Sequence, residues 1–560
     1  DLHSFPTRRS SDLWQKNLSL DFKLNWGFTD LANSPDTGDD TFNPMMNALI
    51  MPRSIRTQDI KEGYYIDENG SRKQLTWTPK STLVLNPHWA KYGRENPSNS
   101  NSGSILGVLK YRFTDWLTLQ GRLALLRSTN NWEKKVYWDT YYLNQGHGAY
   151  SRGNREKREY NSNLLLTFNK NISSNFRVNA SVGAEIRDSQ GSWISAETTT
   201  NGLKLENKFA LSNAAGAIRT EENDWHIQKQ AIYGMAQFAF REYLFLDATW
   251  RNDWSSTLPK PHNYNYPSIG LTAILSDMFS LPEAISFAKL RGIYAEVGND
   301  APRNMIYQTY VLENSGPLGW VSPKGTKMPV DLIPERTKSW EMGAELRFLK
   351  NRFGVDFTYY KSNTYNQLMR VTTPSTSGYD ATWINAGNIQ NSGIELMLTA
   401  TPVQLRNFTW DVNLNFSKNI NKVVDLSPTL DRYKLSVPSL AMGHSWVEKG
   451  RPYGEIYVRD FRKNDKGEYL VNDKGDPLAE ANPDTYLGNF NYDWAGSISN
   501  TFNYKNWSLY FLIDLNYGGW RVSATESYLI YYGTGKNSLN GQERGILIDT
   551  VICQRSEERR

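Results

Sequence analysis

Cysteine is almost missing from the chain. Its 560 residues hold one, Cys553, so neither an intrachain disulfide framework nor a thiolate metal cluster is available. Histidine is scarce too: His3, His88, His147, His226, His262 and His444 stand apart, with no pair at metal-ligand spacing. No run of 18 or more apolar residues occurs, which excludes a transmembrane helix. Basic blocks are absent and the formal charge is only +5, so nucleic acid is not an expected partner. The stretch GRPYG (450–454) lacks the Lys-Ser/Thr of a phosphate loop and reads as a turn. No Ser/His/Asp set assembles from local signatures, so no enzyme is expected.

Low hydropathy does not exclude a membrane. The mean hydropathy is −0.61, but a barrel strand gives only every second residue to lipid. Aromatic residues are plentiful at 13%, with 19 Trp and 32 Tyr. They suit interfacial girdles, carbohydrate stacking, or both.

The dominant pattern has period two. In NFTWDVNLNF (407–416), Phe408, Trp410, Val412, Leu414 and Phe416 share one parity, against Thr409, Asp411, Asn413 and Asn415. The pattern recurs at Phe176–Ile186, Trp340–Phe348, Phe353–Tyr359 and Trp507–Tyr517. Such runs of about 9–12 residues match a tilted membrane strand. Connections fall into two classes: short ones (349–351, 403–407, 240–242, 504–506) and long polar ones (128–157, 361–392, 419–493). Short turns on one side and long loops on the other fit a transmembrane antiparallel β-barrel better than a soluble sandwich. The expected fold is all-β, with roughly fifteen strands.

Candidate binding residues lie in aromatic loops. Residues 130–150 hold Trp132, Trp138, Tyr141 and Tyr142, and GPLGWVSPKG (316–325) presents Trp320. Aromatic faces beside Asn and Asp can stack on sugar rings or grip a peptide; they can equally bind loops together. The twin stretches NDKGEY (464–469) and NDKGDP (472–477) do not complete a calcium ladder and suit hairpin turns. Asp36, Asp39 and Asp40 could hold an ion, or sit in a polar loop. No cofactor is expected.

The two ends have a peculiarity of their own. RRSSDL (Arg8–Leu13) and RSEERR (Arg555–Arg560) can be encoded by one DNA segment read in opposite directions. That DNA resembles a sequencing adapter, so residues 1–13 and 555–560 are expected to be artefacts flanking a partial barrel at 14–554.

Several irregular segments carry a family resemblance: 233–259, 266–279, KLRGIYAEVGND (289–300), 334–368, 384–403, NPHWAKY (86–92) and 113–122. Taken in chain order, they resemble the SusC/RagA family of TonB-linked outer-membrane transporters of Bacteroidetes. The resemblance implies a barrel of about 22 strands with a plugged lumen, of which this chain would be a fragment without plug, TonB box or final strands. It implies active import of oligosaccharides, other large nutrients or peptides across the outer membrane of a Gram-negative cell. The implied partners are a SusD-like surface lipoprotein, the TonB-ExbB-ExbD system and outer-membrane lipid. A passive porin, a barrel adhesin and a barrel lipase are the alternatives.

Overall fold

The structure is a computed structural model. It describes residues 2–4, 7–13, 17–34, 36–78, 80–141, 144–198, 201–313, 320–323, 325–329, 331–373, 375–427, 430–436, 443–482, 484–536 and 550–552. Fifteen strands form the wall. They are β1 (Leu18–Leu31), β2 (Ser98–Thr114), β3 (Leu117–Val136), β4 (Ala149–Ser173) and β5 (Phe176–Thr198). Next come β6 (Ile218–Phe240), β7 (Leu244–Ser255), β8 (Asn263–Ile274), β9 (Ile285–Asn299) and β10 (Glu335–Phe348). The last five are β11 (Phe353–Thr372), β12 (Ala381–Leu405), β13 (Phe408–Asp425), β14 (Trp494–Tyr504) and β15 (Trp507–Tyr517). Each pairs antiparallel with its neighbour in sequence, so the wall is one up-and-down meander. Among the described residues β15 and β1 are not paired with each other. Leu2–Ser4 and Thr7–Leu13 run antiparallel along the free edge of β1.

Alternation decides which face meets which solvent. On one parity the wall shows Leu164, Val182, Ile186, Ile232 and Ile269, all exposed, with no second layer over them. A naked apolar band of this kind is stable only against hydrocarbon. No helix among the described residues is long and apolar enough to cross a membrane. Aromatic rings mark both edges of the band. Near the short turns lie Tyr111 against Phe113, Trp116 against Phe168, and the stack Trp410–Phe502–Phe511. At the far edge lie Trp340 against Tyr359 and Trp494 against Tyr517. On β15, Trp507 and Tyr517 sit ten residues apart, which at about 3.4 Å per residue and a 45° tilt is roughly 25 Å, the height of a barrel's apolar band.

The short turns fall where the sequence puts them, at 349–352, 406–407, 241–243 and 505–506. The long connections do not. β3 and β4 continue as paired strands to Val136 and Ala149, and β11 and β12 to Thr372 and Ala381. The loops expected at 128–157 and 361–392 are therefore mostly sheet. Beyond the lipid both faces are polar, so apolar alternation stops while the backbone ladder goes on.

The buried cores lie in the crown above the band, not in the wall. They include Phe42, Leu85, Trp89, Ala90 and Val136; Met46, Ile50 and Val84; Leu258, Ala301, Met305 and Leu332; and Met369, Val371, Val423, Leu426 and Val447. NPHWAKY illustrates the local logic: Asn86 caps the helix Pro87–Tyr92 through His88 N–H at 2.8 Å, and proline pre-sets the first turn. The helix then inserts Trp89, whose indole donates to Thr140 Oγ1 at 2.9 Å.

Candidate functional site

Two surfaces can meet a solute, the crown and the inner face of the wall. In the crown, the connections after β1, β3 and β5 interlock. Arg72 lies over the rings of Tyr64 and Tyr137 at 4.3 and 5.3 Å. Tyr137 donates to Glu95 at 2.8 Å and meets Phe209 edge-on at 5.0 Å. Gln74 N–H donates to Asp139 at 2.6 Å, while burial pushes the Asp139 carboxyl above its ordinary range.

The aromatic candidates divide among these contacts. Trp132 lies on β3 and covers Gly153 of β4, where an added Cβ would come within 2.6 Å of its ring. Trp138 packs against the His147 ring at 5.0 Å, and its backbone N–H donates to Asn207. The Trp138 indole N–H is buried without a hydrogen-bond partner. Tyr141 faces Gly146 in the same loop. Tyr142 lies outside the described residues. Trp320 pairs with Glu313 in a hairpin on another loop, and its side chain is outside the described residues. The structure thus brings Trp138, Tyr141 and His147 together in one loop, with Trp132 on the adjoining strand.

The acidic loop folds around a cation of the chain itself. Asp36 pairs with the buried Arg94 guanidinium, which also faces Asp40 at 3.7 Å. Burial raises the Asp36 carboxyl, and Arg94 opposes that rise. The twin NDKG stretches are closed by their own asparagines. Asn464 Oδ1 accepts from Lys466 and Glu468 N–H, and Asn472 Oδ1 from Lys474 and Asp476 N–H.

The 419–493 stretch is not a loose loop. After β13 it folds into a sheet of Arg432–Ser436, His444–Glu448, Glu455–Val458 and Thr485–Asn489. Val447 faces a core, while Trp446 and Glu455 pair across the opposite face. Glu455 is fully buried with Arg451 at 3.6 Å, and burial raises its carboxyl above the ordinary value.

A further cluster, invisible to local reading, ties the crown together above β6–β9. Asp300, just past β9, accepts from Lys229 Nζ and Ser255 Oγ at 2.7 Å and from Thr257 Oγ1 at 3.1 Å. Arg303 stacks over Trp225 of β6 at 5.2 Å. The segment after β9 therefore reaches across β8 and β7 to β6.

Below the mouth the inner face is largely polar, with Ile293, Met397 and Leu512 among its charges and amides. Arg291 binds Asp356 in a two-point pair at 2.9 and 3.1 Å, and Lys289 meets Glu345 at 2.5 Å. Arg251 meets Asp253 at 2.7 Å and Glu185 at 3.4 Å. Asn163 donates to Tyr233 at 2.6 Å. The cross-strand register puts these charges on a single face, a fact that sequence spacing cannot supply.

Known proteins with this architecture agree on its kind. The family model described as TonB dependent receptor-like, beta-barrel matches residues 52–538. TonB-dependent receptor P26 of Formosa agariphila is 24% identical over 409 residues, covering 71% of this chain and 37% of the relative. TonB-dependent receptor SusC of Bacteroides thetaiotaomicron is 22% identical over 393 residues, covering 63% of this chain and 37% of that protein. The RagAB peptide importer in its open-open state superposes with a TM-score of 0.75 at 18% identity, over 94% of this chain and 57% of that one. The chain spans about half or less of the length of the curated relatives it matches. With its meander wall, lipid-facing band and polar interior, it belongs to the TonB-dependent receptor-like β-barrel family of the outer membrane.

Proposed function

We propose that the whole protein is an active importer, coupled to TonB and its ExbB–ExbD motor, that carries oligosaccharides or other large nutrients across the outer membrane. A SusD-like surface lipoprotein would sit over the crown and help capture the solute. The observation that carries this reading is the family match along nearly the whole wall, joined to a luminal face lined with paired charges and amides. The partner that the RagAB name implies belongs to that protein; for this chain it is part of the proposal. Import breaks no bond in the solute, so no catalytic residue is assigned.

The test is uptake by cells carrying the full-length gene, with and without TonB and with the proton gradient collapsed. Accumulation of glycan that stops in both controls is the expected result. Uptake that persists without TonB would establish a passive pore instead. Surface binding without accumulation would establish an adhesin.

A further inference from the structure

The outward face of the wall carries one lopsided patch of charge. Ile269 of β8 faces lipid, and a row of directly opposed residues runs from it through Tyr294, Trp340, Lys361, Ser392 and Ile420 on β9–β13. Opposed residues share a face of the sheet, so Lys361 belongs to the outward one. The next outward row towards the crown is Glu296, Lys338, Asn363, Gln390 and Lys422. Arg336 on β10 and Lys418 on β13 have the same parity. These cations lie just past the ring pairs Trp340–Tyr359 and Trp494–Tyr517 at the upper edge of the apolar band. Against them, in these rows, stands the carboxylate of Glu296, 3.5 Å from Arg336 and 3.7 Å from Lys338. Lys361, Lys418 and Lys422 have no ion-pair partner among the described residues.

On β3–β6 the outward face beyond the band is built differently. There Arg127 and Arg158 share Glu156 at 2.9 and 2.6 Å, and Asp188 meets His226 at 2.7 Å. Those cations have their counter-charges beside them, whereas the three lysines of β11 and β13 do not. Their surroundings are also not those of a purely solvated face, since Ile420 stands exposed between Lys418 and Lys422. Strands lie about 4.8 Å apart and rise about 3.4 Å per residue, so the patch spans roughly 15 Å in each direction. That is about two Debye lengths at physiological salt, close enough for the charges to act on one ligand. Lysine stems lie along apolar surface while their ammonium groups reach the headgroup layer. With the short turns on the periplasmic side and the crown outside, that layer belongs to the outer leaflet. The matching chemistry is negative charge attached to hydrocarbon, which is a phosphate on a lipid. An acidic protein surface would answer the lysines but leave Ile420 and the rings of Trp340 and Tyr359 against polar groups.

We propose that the outward face of β10–β13, with Lys361, Lys418 and Lys422 as its charged contacts, holds a phosphate-bearing lipid of the outer leaflet. The phosphates would take the ammonium groups, and the acyl chains would lie along Met342, Tyr359 and Ile394, the row nearer the short turns. What the protein imports has no bearing on this patch; its place in the outer membrane does.

The experiment uses the purified full-length protein in mild detergent, with bound lipid counted by native mass spectrometry. The probes are diphosphorylated lipid A, the same lipid stripped of its phosphates, and inorganic phosphate as competitor. A cation near an anionic lipid surface contributes roughly fivefold in affinity, so the phosphorylated lipid should bind roughly tenfold or more tighter than the stripped one. Lys361→Gln with Lys418→Gln and Lys422→Gln should abolish that preference, and Arg127→Gln with Arg158→Gln should leave it intact. Inorganic phosphate should not compete. Equal binding of the two lipids by the parent would overturn the proposal and leave the patch to an acidic protein partner. Competition by inorganic phosphate would overturn it in favour of a free-anion site. Preference that survives in the lysine variant, or falls as far in the arginine variant, would place the lipid elsewhere and overturn it too. If the triple variant does not fold, Lys361→Gln and Lys422→Gln are tested singly, and unchanged preference in both would overturn the proposal equally.

Discussion

Trp410 shows how much one side chain does at the lipid boundary. Its ring stacks on Phe502 at 5.6 Å and an interplanar angle of 12°, and its indole N–H donates to Asn500 Oδ1 at 3.1 Å. Asn500 has the outward parity of β14 and is buried, so the indole shields an amide that would otherwise face hydrocarbon. Trp410→Phe keeps the stack and strips the donor; it should cost about 1–3 kcal/mol, the penalty of an unsatisfied buried polar group. Adding Asn500→Val should recover most of that loss, as read by urea unfolding in vesicles. Alternation put Trp410 on the apolar face of its strand, but the amide it covers became visible only once β13 and β14 were in register.

Asp300 gives a pH prediction at the same scale. Burial opposes its ionisation, but hydrogen bonds from Lys229, Ser255 and Thr257 outweigh burial and hold the carboxyl below its ordinary value. The ionised form is therefore favoured in the folded state. Its contribution is intact above the unfolded value of 3.8 and is lost as pH falls through the lower folded value. Amide protection across 300–306, taken relative to the intrinsic exchange rate at each pH, should fall on acidification below about pH 4. Asp300→Asn should show weaker protection already at neutral pH, and protection in the parent that does not change with pH would contradict the assignment. Sequence reading could not find this site, because its members come from β6, β7 and the segment after β9.

At the scale of elements, close cross-strand approach sets where glycine is required. Trp225 lies across Gly191, so an added Cβ would fall 2.4 Å from the ring. Gly191→Ala must displace that ring and should cost about 1–3 kcal/mol. Gly234, on β6 facing lipid, has its nearest atom at 3.9 Å, so Gly234→Ala should stay within about 0.5 kcal/mol of the parent. Parallel unfolding curves of the two variants make the comparison. Strand positions inside the lipid were legible because apolar residues must alternate there. Their continuation past it was not, since hydrogen bonding and side-chain ladders hold β4 and β5 together to lengths of 25 and 23 residues without an oily face. The 419–493 stretch escaped for a related reason: its small sheet is amphipathic over only four or five residues per strand, too few for periodicity to register.

At the scale of the molecule, residues far apart in sequence meet in the crown. The helix Ala524–Tyr531 follows β15, and Tyr528 packs on Met46, Ile50 and Val84, which follow β1. Arg53 Nη2 donates to the carbonyls of Gly533 and Gly535 at 3.0 and 3.1 Å. Arg53→Ala removes both bonds and should loosen this clasp by about 1–2 kcal/mol, seen as faster amide exchange over 524–532 with the wall unchanged. Equal exchange in parent and variant would show that the apolar contacts alone hold the clasp.

The height of the wall is uneven. β4 and β5 rise far beyond the apolar band, whereas β7 and β8 are twelve residues each and turn over close to its edge. What fills the gap above them is the packed group of Leu258, Ala301, Met305 and Leu332, pinned by Asp300. With Leu258, Met305 and Leu332 loosened, the rim above β7 and β8 would be the first part of the crown to open, while the long strands β4 and β5 held.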